Sequence, residues 1–141
     1  MWDKKKIGMG YHYRARYELI LFFEKGKRKL NDLGISDIIE APRISSGYPA
    51  EKPPEVSEVL IKQSSEQGEV VVDPFIGSGS VGVAAVRKGR HFWGNDVCRE
   101  ALEIAEDRLK KEGASIDSDW VERKERGGRS RRDKQLNLSI D

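Results

Sequence analysis

The stretch that most restricts how this chain can fold is Glu69-Val-Val-Val-Asp-Pro-Phe-Ile-Gly-Ser-Gly-Ser-Val-Gly82. Val70 to Val72 is a short β-branched run, the pattern of a strand buried on both faces. Asp73, Pro74 and Phe75 follow, then glycines at 77, 79 and 82, and from Ser80 onward small and apolar residues that suit a packed helix. Strand, glycine turn and helix N-terminus in that order let backbone N–H groups and the positive end of a helix approach a ligand with no side chain between. The pattern predicts a nucleoside-binding turn.

Other elements can be placed around that turn. Leu19-Ile-Leu-Phe-Phe23 has the composition of a strand and ends at the basic run Glu24 to Lys29. A short strand is expected within Ser36 to Glu40. Pro53 and Pro54 suit a helix start, because a missing N–H costs nothing in the first turn. Val56, Val59, Leu60 and Gln63 then recur at helical spacing, which predicts a helix over 55–66 with Gly68 as its stop. The helix after the glycine turn should run to about Lys88, stopped by Gly89. Arg90 to Asp96 reads as a strand ending in an acid. Val97, Cys98, Ala101, Leu102, Ala105 and Leu109 mark one face of a helix running to about Glu112, so Cys98 is expected in the core, and His91 reads as structural.

The fold class expected is α/β: a partial Rossmann-like sheet, mostly parallel and flanked by helices, with ligand at the carboxyl ends of the strands. Strand 70–72 should be central, strand 91–95 beside it and strand 19–23 farther out. These elements occupy residues 1–113. Beyond Gly113 the periodicity vanishes, and 114–141, with Gly127-Gly128 and a run of arginines, is expected to be a basic, mobile tail.

A length of 141 residues allows one domain or part of one. The net charge of +2 is too small to identify a polyanion partner, but its distribution is uneven. Residues 1–29 hold nine Lys/Arg against three acids, and 123–134 hold seven against two. Basic ends fit a surface that faces a polyanion, as they would a solvated tail. Between Tyr11 and Tyr17, aromatics alternate with Arg14 and Arg16, a mixture that can stack on bases and pair with phosphates, or pack on one strand face. One cysteine rules out an internal disulfide and argues against a cysteine-based metal site. No membrane-length apolar run or signal peptide is evident, so a cytoplasmic location is expected.

Gly77-Ser-Gly-Ser-Val-Gly82 also satisfies G-x-G-x-x-G, with Asp96 nineteen residues beyond Gly77, the distance of a ribose-binding acid in dinucleotide sites. That reading points to NAD. Against it, Asp73 stands at the strand end, where a diphosphate would sit and be repelled. An acid there suits a cationic ligand without phosphate, and S-adenosylmethionine meets that description. Asp73 could accept from its amino group, Phe75 pack against it, Gly77 and Gly79 let the backbone approach, and Asp96 accept from the ribose hydroxyls. Asp96 could equally cap the helix that follows.

These motifs resemble the DNA amino-methyltransferases, which methylate N6 of adenine or N4 of cytosine, and specifically the permuted group whose cofactor motifs follow the catalytic one. Asp73-Pro-Phe-Ile-Gly-Ser-Gly79 matches the family's Asp-Pro-Phe-x-Gly-Ser-Gly loop at every defined position. Tyr48-Pro-Ala-Glu-Lys-Pro53 is similar to its His-Pro-x-Glu-Lys-Pro segment, and Gly94-Asn-Asp96 to its glycine and ribose-binding acid. Tyr17-Glu-Leu-Ile-Leu-Phe-Phe-Glu-Lys-Gly26 resembles a His-Glu-x-Ile-x-x-Phe-x-Lys-Gly strand. In both of the motifs that begin with histidine, tyrosine replaces it here.

The resemblance, over roughly residues 7–112, implies S-adenosylmethionine as cofactor, held by Asp73, Phe75, Gly77, Gly79 and Asp96, with Glu51 and Lys52 near its methionine end. It implies double-stranded DNA as partner, with Arg14, Arg16, Lys27 and Arg28 as candidates for phosphate contact. The family's Asp/Asn/Ser-Pro-Pro-Tyr/Phe/Trp tetrapeptide is absent from these 141 residues. The chain is therefore expected to be the cofactor-binding half of such an enzyme, completed by a second polypeptide or a missing N-terminal half. A non-catalytic cofactor- or DNA-binding subunit, a relic and an NAD-dependent oxidoreductase stay open beside it.

Overall fold

The computed structural model describes residues 1–124 and 130–139, with side chains up to residue 117. Its first sheet is small: β1 (Trp2–Asp3) lies between β2 (Tyr17–Glu18), antiparallel to it, and β3 (Ile39–Glu40), parallel to it. Trp2 anchors this region, buried with Ala41 and Val56, its indole Nε1 donating to the Ala41 carbonyl at 2.8 Å.

Helix α1 (Pro54–Ser64) begins at the two prolines, as expected, and Gly68 beyond it takes a left-handed φ of +79°. β4 (Val70–Asp73) follows, then α2 (Ser80–Arg87), β5 (His91–Asn95) and α3 (Arg99–Lys111). β4 and β5 pair in parallel, Val71 opposite Phe92 and Asp73 opposite Gly94. Ile61 of α1, Val83 to Ala85 of α2, and Leu102, Ala105 and Leu109 of α3 meet Phe92 in one core cluster, with Val71 against it. Helical periodicity and the turn glycines therefore placed all three helices.

Several expectations change. β4 lies at the edge of its sheet, whose order is β4-β5-β7-β6, so strand 70–72 is not central. Nor is it buried on both faces: Val70 is 60% exposed and Val72 57%. A β-branched run reads the same for a central and an edge strand; only neighbours distinguish them. The sheets are mixed rather than mostly parallel, because β6 (Ser115–Lys124) and β7 (Ser130–Ser139) form an antiparallel pair and β7 lies antiparallel on β5.

In its described part, the expected mobile tail is thus two strands. Their pairing rests on backbone hydrogen bonds, and charged sequence carries little apolar periodicity to reveal them. Gly127-Gly128 lies outside the described residues. The expected strand 19–23 is absent too: only Tyr17–Glu18 pairs, while Leu19, Leu21, Phe22 and Phe23 are exposed. Strand composition forms no strand without a partner for its hydrogen bonds. Cys98 is exposed rather than core, since α3 starts at Arg99 and residues 97–98 precede its apolar face. Among the described residues, no helix is long and apolar enough to cross a membrane.

Candidate functional site

The chain leaves β4 at Asp73 and turns through Ile76 to Gly79 into α2. Gly77 and Gly79 take φ of +51° and +85°, left-handed values that a Cβ would strain. The Gly79 N–H donates to the Ile76 carbonyl at 2.9 Å, and the Ile76 N–H to the Asn95 carbonyl at 3.0 Å, tying the turn to the end of β5. No side chain caps the N-terminus of α2, so its first-turn N–H groups are not taken up by a side-chain cap. The third glycine has another reason. A Cβ at Gly82 would lie 2.9 Å from Cε1 of Phe92 and 3.1 Å from Cδ2 of Leu109; Gly82 packs α2 against the core.

Two carboxylates flank the turn. Asp73 Oδ1 accepts the Phe75 N–H at 3.0 Å. Burial, and then the charge of Asp96, push the Asp73 carboxyl above its ordinary value, opposed by that N–H. Asp96 uses both oxygens on backbone: Oδ2 accepts from Gly77 and Oδ1 from Cys98, each at 2.9 Å. It caps by this local turn rather than as the N-cap of α3, a position held by Cys98. Phe75 is 85% exposed, an aromatic ring left free at the rim.

Glu51 reaches the turn indirectly. Its carboxylate lies 2.9 Å from Nη2 of Arg108, whose Nη1 donates to the Ser78 carbonyl and hydroxyl at 2.8 and 2.9 Å. Lys52 points elsewhere, bonded to Glu18 at 2.7 Å and stacked over Trp2. A cavity of about 350 Å³ opens there, lined by Trp2, Lys4, Glu18, Arg43, Tyr48 and Lys52 among others. Arg16 grips Asp3 with two hydrogen bonds of 2.7 and 2.6 Å, Arg14 donates to the Gly8 carbonyl, and Arg28 pairs with Glu69. Lys27 is exposed. Of the four basic candidates, three therefore have intramolecular partners and do not gather at the glycine turn.

Sequence reasoning left Tyr48 and Arg108 out of the site. A Cβ at Gly77 would sit 3.8 Å from Cε1 of Tyr48, so the ring lies beside the turn. Burial, followed by the charges of Cys98, Asp96 and Glu100, pushes its hydroxyl up. The available signal for Tyr48 was its place at the head of Tyr48-Pro-Ala-Glu-Lys-Pro53. Arg108 carried none, being one of many charged residues on α3.

Two carboxylates beside the turn disfavour a diphosphate and favour a cationic nucleoside. The donor set fits S-adenosylmethionine: acceptors for an ammonium and a ribose, and small residues at the approach.

Comparison with known proteins shows the family. Residues 1–107 match the profile of the N6/N4 family described as DNA methylase. The type II methyltransferase M2.LlaDCHI of Lactococcus lactis subsp. cremoris is 36% identical over 112 residues, 79% of this chain and 41% of the relative. M2.DpnII of Streptococcus pneumoniae is 34% identical over 113 residues, with the same coverage of both. The crystal structure of an M1.HpyAVI–SAM complex superposes with a TM-score of 0.52 at 27% identity, covering 61% of this chain and 46% of that one. This chain thus spans 41% of the length of each of these two relatives. It belongs to the N6/N4 DNA methylase family.

Proposed function

We propose that this chain is the S-adenosylmethionine-binding portion of a DNA methyltransferase acting on the exocyclic amino group of adenine or cytosine. The observation that carries the proposal is the pair of carboxylates, Asp73 and Asp96, set on either side of the Gly77–Gly79 turn. Asp73 accepts from the ligand's ammonium. Asp96, fixed by Gly77 and Cys98, accepts from the ribose hydroxyls with its remaining lone pairs. Gly77 and Gly79 allow close backbone approach, and Phe75 covers the exposed side. When bound, the cofactor would supply a methyl group made electrophilic by its positively charged sulfur, which would leave as a neutral thioether. The chain's own contribution is positioning and electrostatics. The Rossmann-like sheet of a whole methyltransferase would form when further strands extend β4.

DNA is the proposed substrate. Arg14, Arg16, Lys27 and Arg28 are the proposed phosphate contacts, the arginines after exchanging their present partners. A base lifted from the duplex needs a closed pocket, and the glycine turn here lies open, with Phe75 at its rim. A second polypeptide, or a missing N-terminal half, is proposed to carry the Pro-Pro-Tyr-type motif and that pocket. Isothermal titration tests the cofactor assignment: S-adenosylmethionine should bind and NAD should not. Binding of NAD with exclusion of S-adenosylmethionine would overturn it. Methyl transfer to duplex DNA is expected only when the complementary polypeptide is added; activity of the chain by itself would overturn that part.

A further inference from the structure

We propose that Arg108 is a positioning residue for this site, locking the Tyr48–Glu51 segment to the glycine turn; the inference rests on the cofactor reading above. Helix α3 meets the turn through two residues nearly one helical turn apart. Ala105 packs so closely that a Cβ at Gly79 would lie 2.9 Å from its Cβ. Arg108 then extends its guanidinium between two segments far apart in sequence. Nη2 reaches Glu51 at 2.9 Å. Nη1 reaches the Ser78 carbonyl at 2.8 Å, the Ser78 hydroxyl at 2.9 Å and, more weakly, the Ser80 hydroxyl at 3.4 Å. The pair is shielded, with Glu51 11% and Arg108 23% exposed, so it is screened less than a surface ion pair.

Its reach extends to the ligand side of the turn. The Glu51 N–H donates to the Tyr48 carbonyl at 3.1 Å, closing a tight turn that sets the Tyr48 ring beside Gly77. Ser78 is flanked by the two glycines whose N–H groups border the site. Arg108 therefore ties both walls to α3. The planar fork matters: a lysine ammonium is a single point of charge and cannot hold Glu51 and the Ser78 carbonyl together in this geometry.

The test compares wild type with Arg108→Lys and Glu51→Gln, using amide hydrogen exchange of the ligand-free chain, thermal melting and titration with S-adenosylmethionine. Arg108→Lys should melt within a few degrees of wild type, yet exchange at Ser78 to Ser80 should quicken and the Kd for S-adenosylmethionine rise, each by about tenfold. Glu51→Gln, which leaves the Ser78 bonds in place, should loosen residues 48–51 alone. Wild-type exchange and affinity in Arg108→Lys would overturn the inference. Should the wild-type chain not bind S-adenosylmethionine while exchange still responds to Arg108→Lys, the clamp stands and the cofactor assignment falls.

Discussion

Gly77 donates its backbone N–H to Oδ2 of Asp96 at 2.9 Å, and this bond joins the turn after β4 to the end of β5. Oδ1 of the same carboxylate takes the Cys98 N–H, so one side chain shapes the turn and presents an acceptor. Removing it should harm both. Asp96→Ala is expected to lower unfolding stability by about 1.5–3 kcal/mol, the worth of one hydrogen bond to a charged group, because the exposed Cys98 N–H can turn to water. Its affinity for S-adenosylmethionine should fall about tenfold or more. Denaturant melts and calorimetry read the two effects. Full affinity in a folded Asp96→Ala protein would leave the residue only its turn-holding role.

Asp73 makes the site pH-sensitive in a defined direction. Its folded carboxyl titrates above the ordinary 3.8, chiefly through burial and then through the charge of Asp96. The folded state thus binds this proton more tightly than the unfolded chain does. This group's contribution to stability therefore rises as pH falls through the raised value and is complete below 3.8. A cationic ligand needs the carboxylate ionised, so affinity should move the opposite way, dropping over the same window. Asp73→Asn should flatten both profiles. Affinity that stays constant from neutral pH down to about 4 would exclude Asp73 as an ammonium acceptor.

What the sequence disclosed, and what it hid, follows from the range of the forces involved. Helices α1, α2 and α3 were readable because apolar residues recur at helical spacing, as Leu102, Ala105 and Leu109 do on α3, and because Gly68, Gly89 and Gly113 take left-handed φ at the stops. Asp73, Gly77, Gly79 and Asp96 were readable because they form short spaced motifs. The edge position of β4 was not, because Val70 and Val72 have identical side chains whether or not a strand lies beside them. Arg108 was hidden for a similar reason. Its partners Glu51 and Ser78 are distant in sequence, and only folding brings them within 3 Å.

The glycines of the turn should separate by phenotype. At Gly82 an added Cβ meets the Phe92 ring at 2.9 Å, so Gly82→Ala should cost about 1–3 kcal/mol of stability by overpacking. Once folded, it should bind S-adenosylmethionine normally. Gly77→Ala meets only Tyr48, at 3.8 Å, and pays about 1–2 kcal/mol for its left-handed backbone. Its larger effect should be on affinity, because the new methyl enters the ligand's approach. Equal affinity losses in both variants would refute this division.

Ala50 offers a stabilising change. It has φ of +59°, a value L-residues rarely adopt, in the turn closed by the Glu51 N–H on the Tyr48 carbonyl. Pro49 precedes it, and a proline followed by a residue with positive φ is the pattern of a type II turn, which favours glycine at that second position. Ala50→Gly should therefore raise stability by up to about 1 kcal/mol, the strain relieved less the entropy glycine adds to the unfolded chain. A lower melting temperature would show that the turn is not strained.

The exposed apolar run after β2 tests the proposed second polypeptide. Leu19, Leu21, Phe22 and Phe23 are exposed while Ile20 packs against the Trp2 cluster, and among the described residues this run has no strand partner. An apolar groove of about 450 Å³ adjoins it, lined by Ile20, Leu21, Phe22, Leu33, Val59 and Leu60 among others. A chain spanning 41% of those two relatives would expose such surface if the remainder normally covers it. Leu21→Lys with Phe23→Lys should then reduce self-association of the isolated chain in sedimentation and leave S-adenosylmethionine affinity unchanged. The same pair should abolish DNA methylation reconstituted with the polypeptide carrying the Pro-Pro-Tyr-type motif. Reconstitution at wild-type level would place the contact elsewhere, and the free edge of β4, with Val70 and Val72 exposed, would be the surface to substitute next.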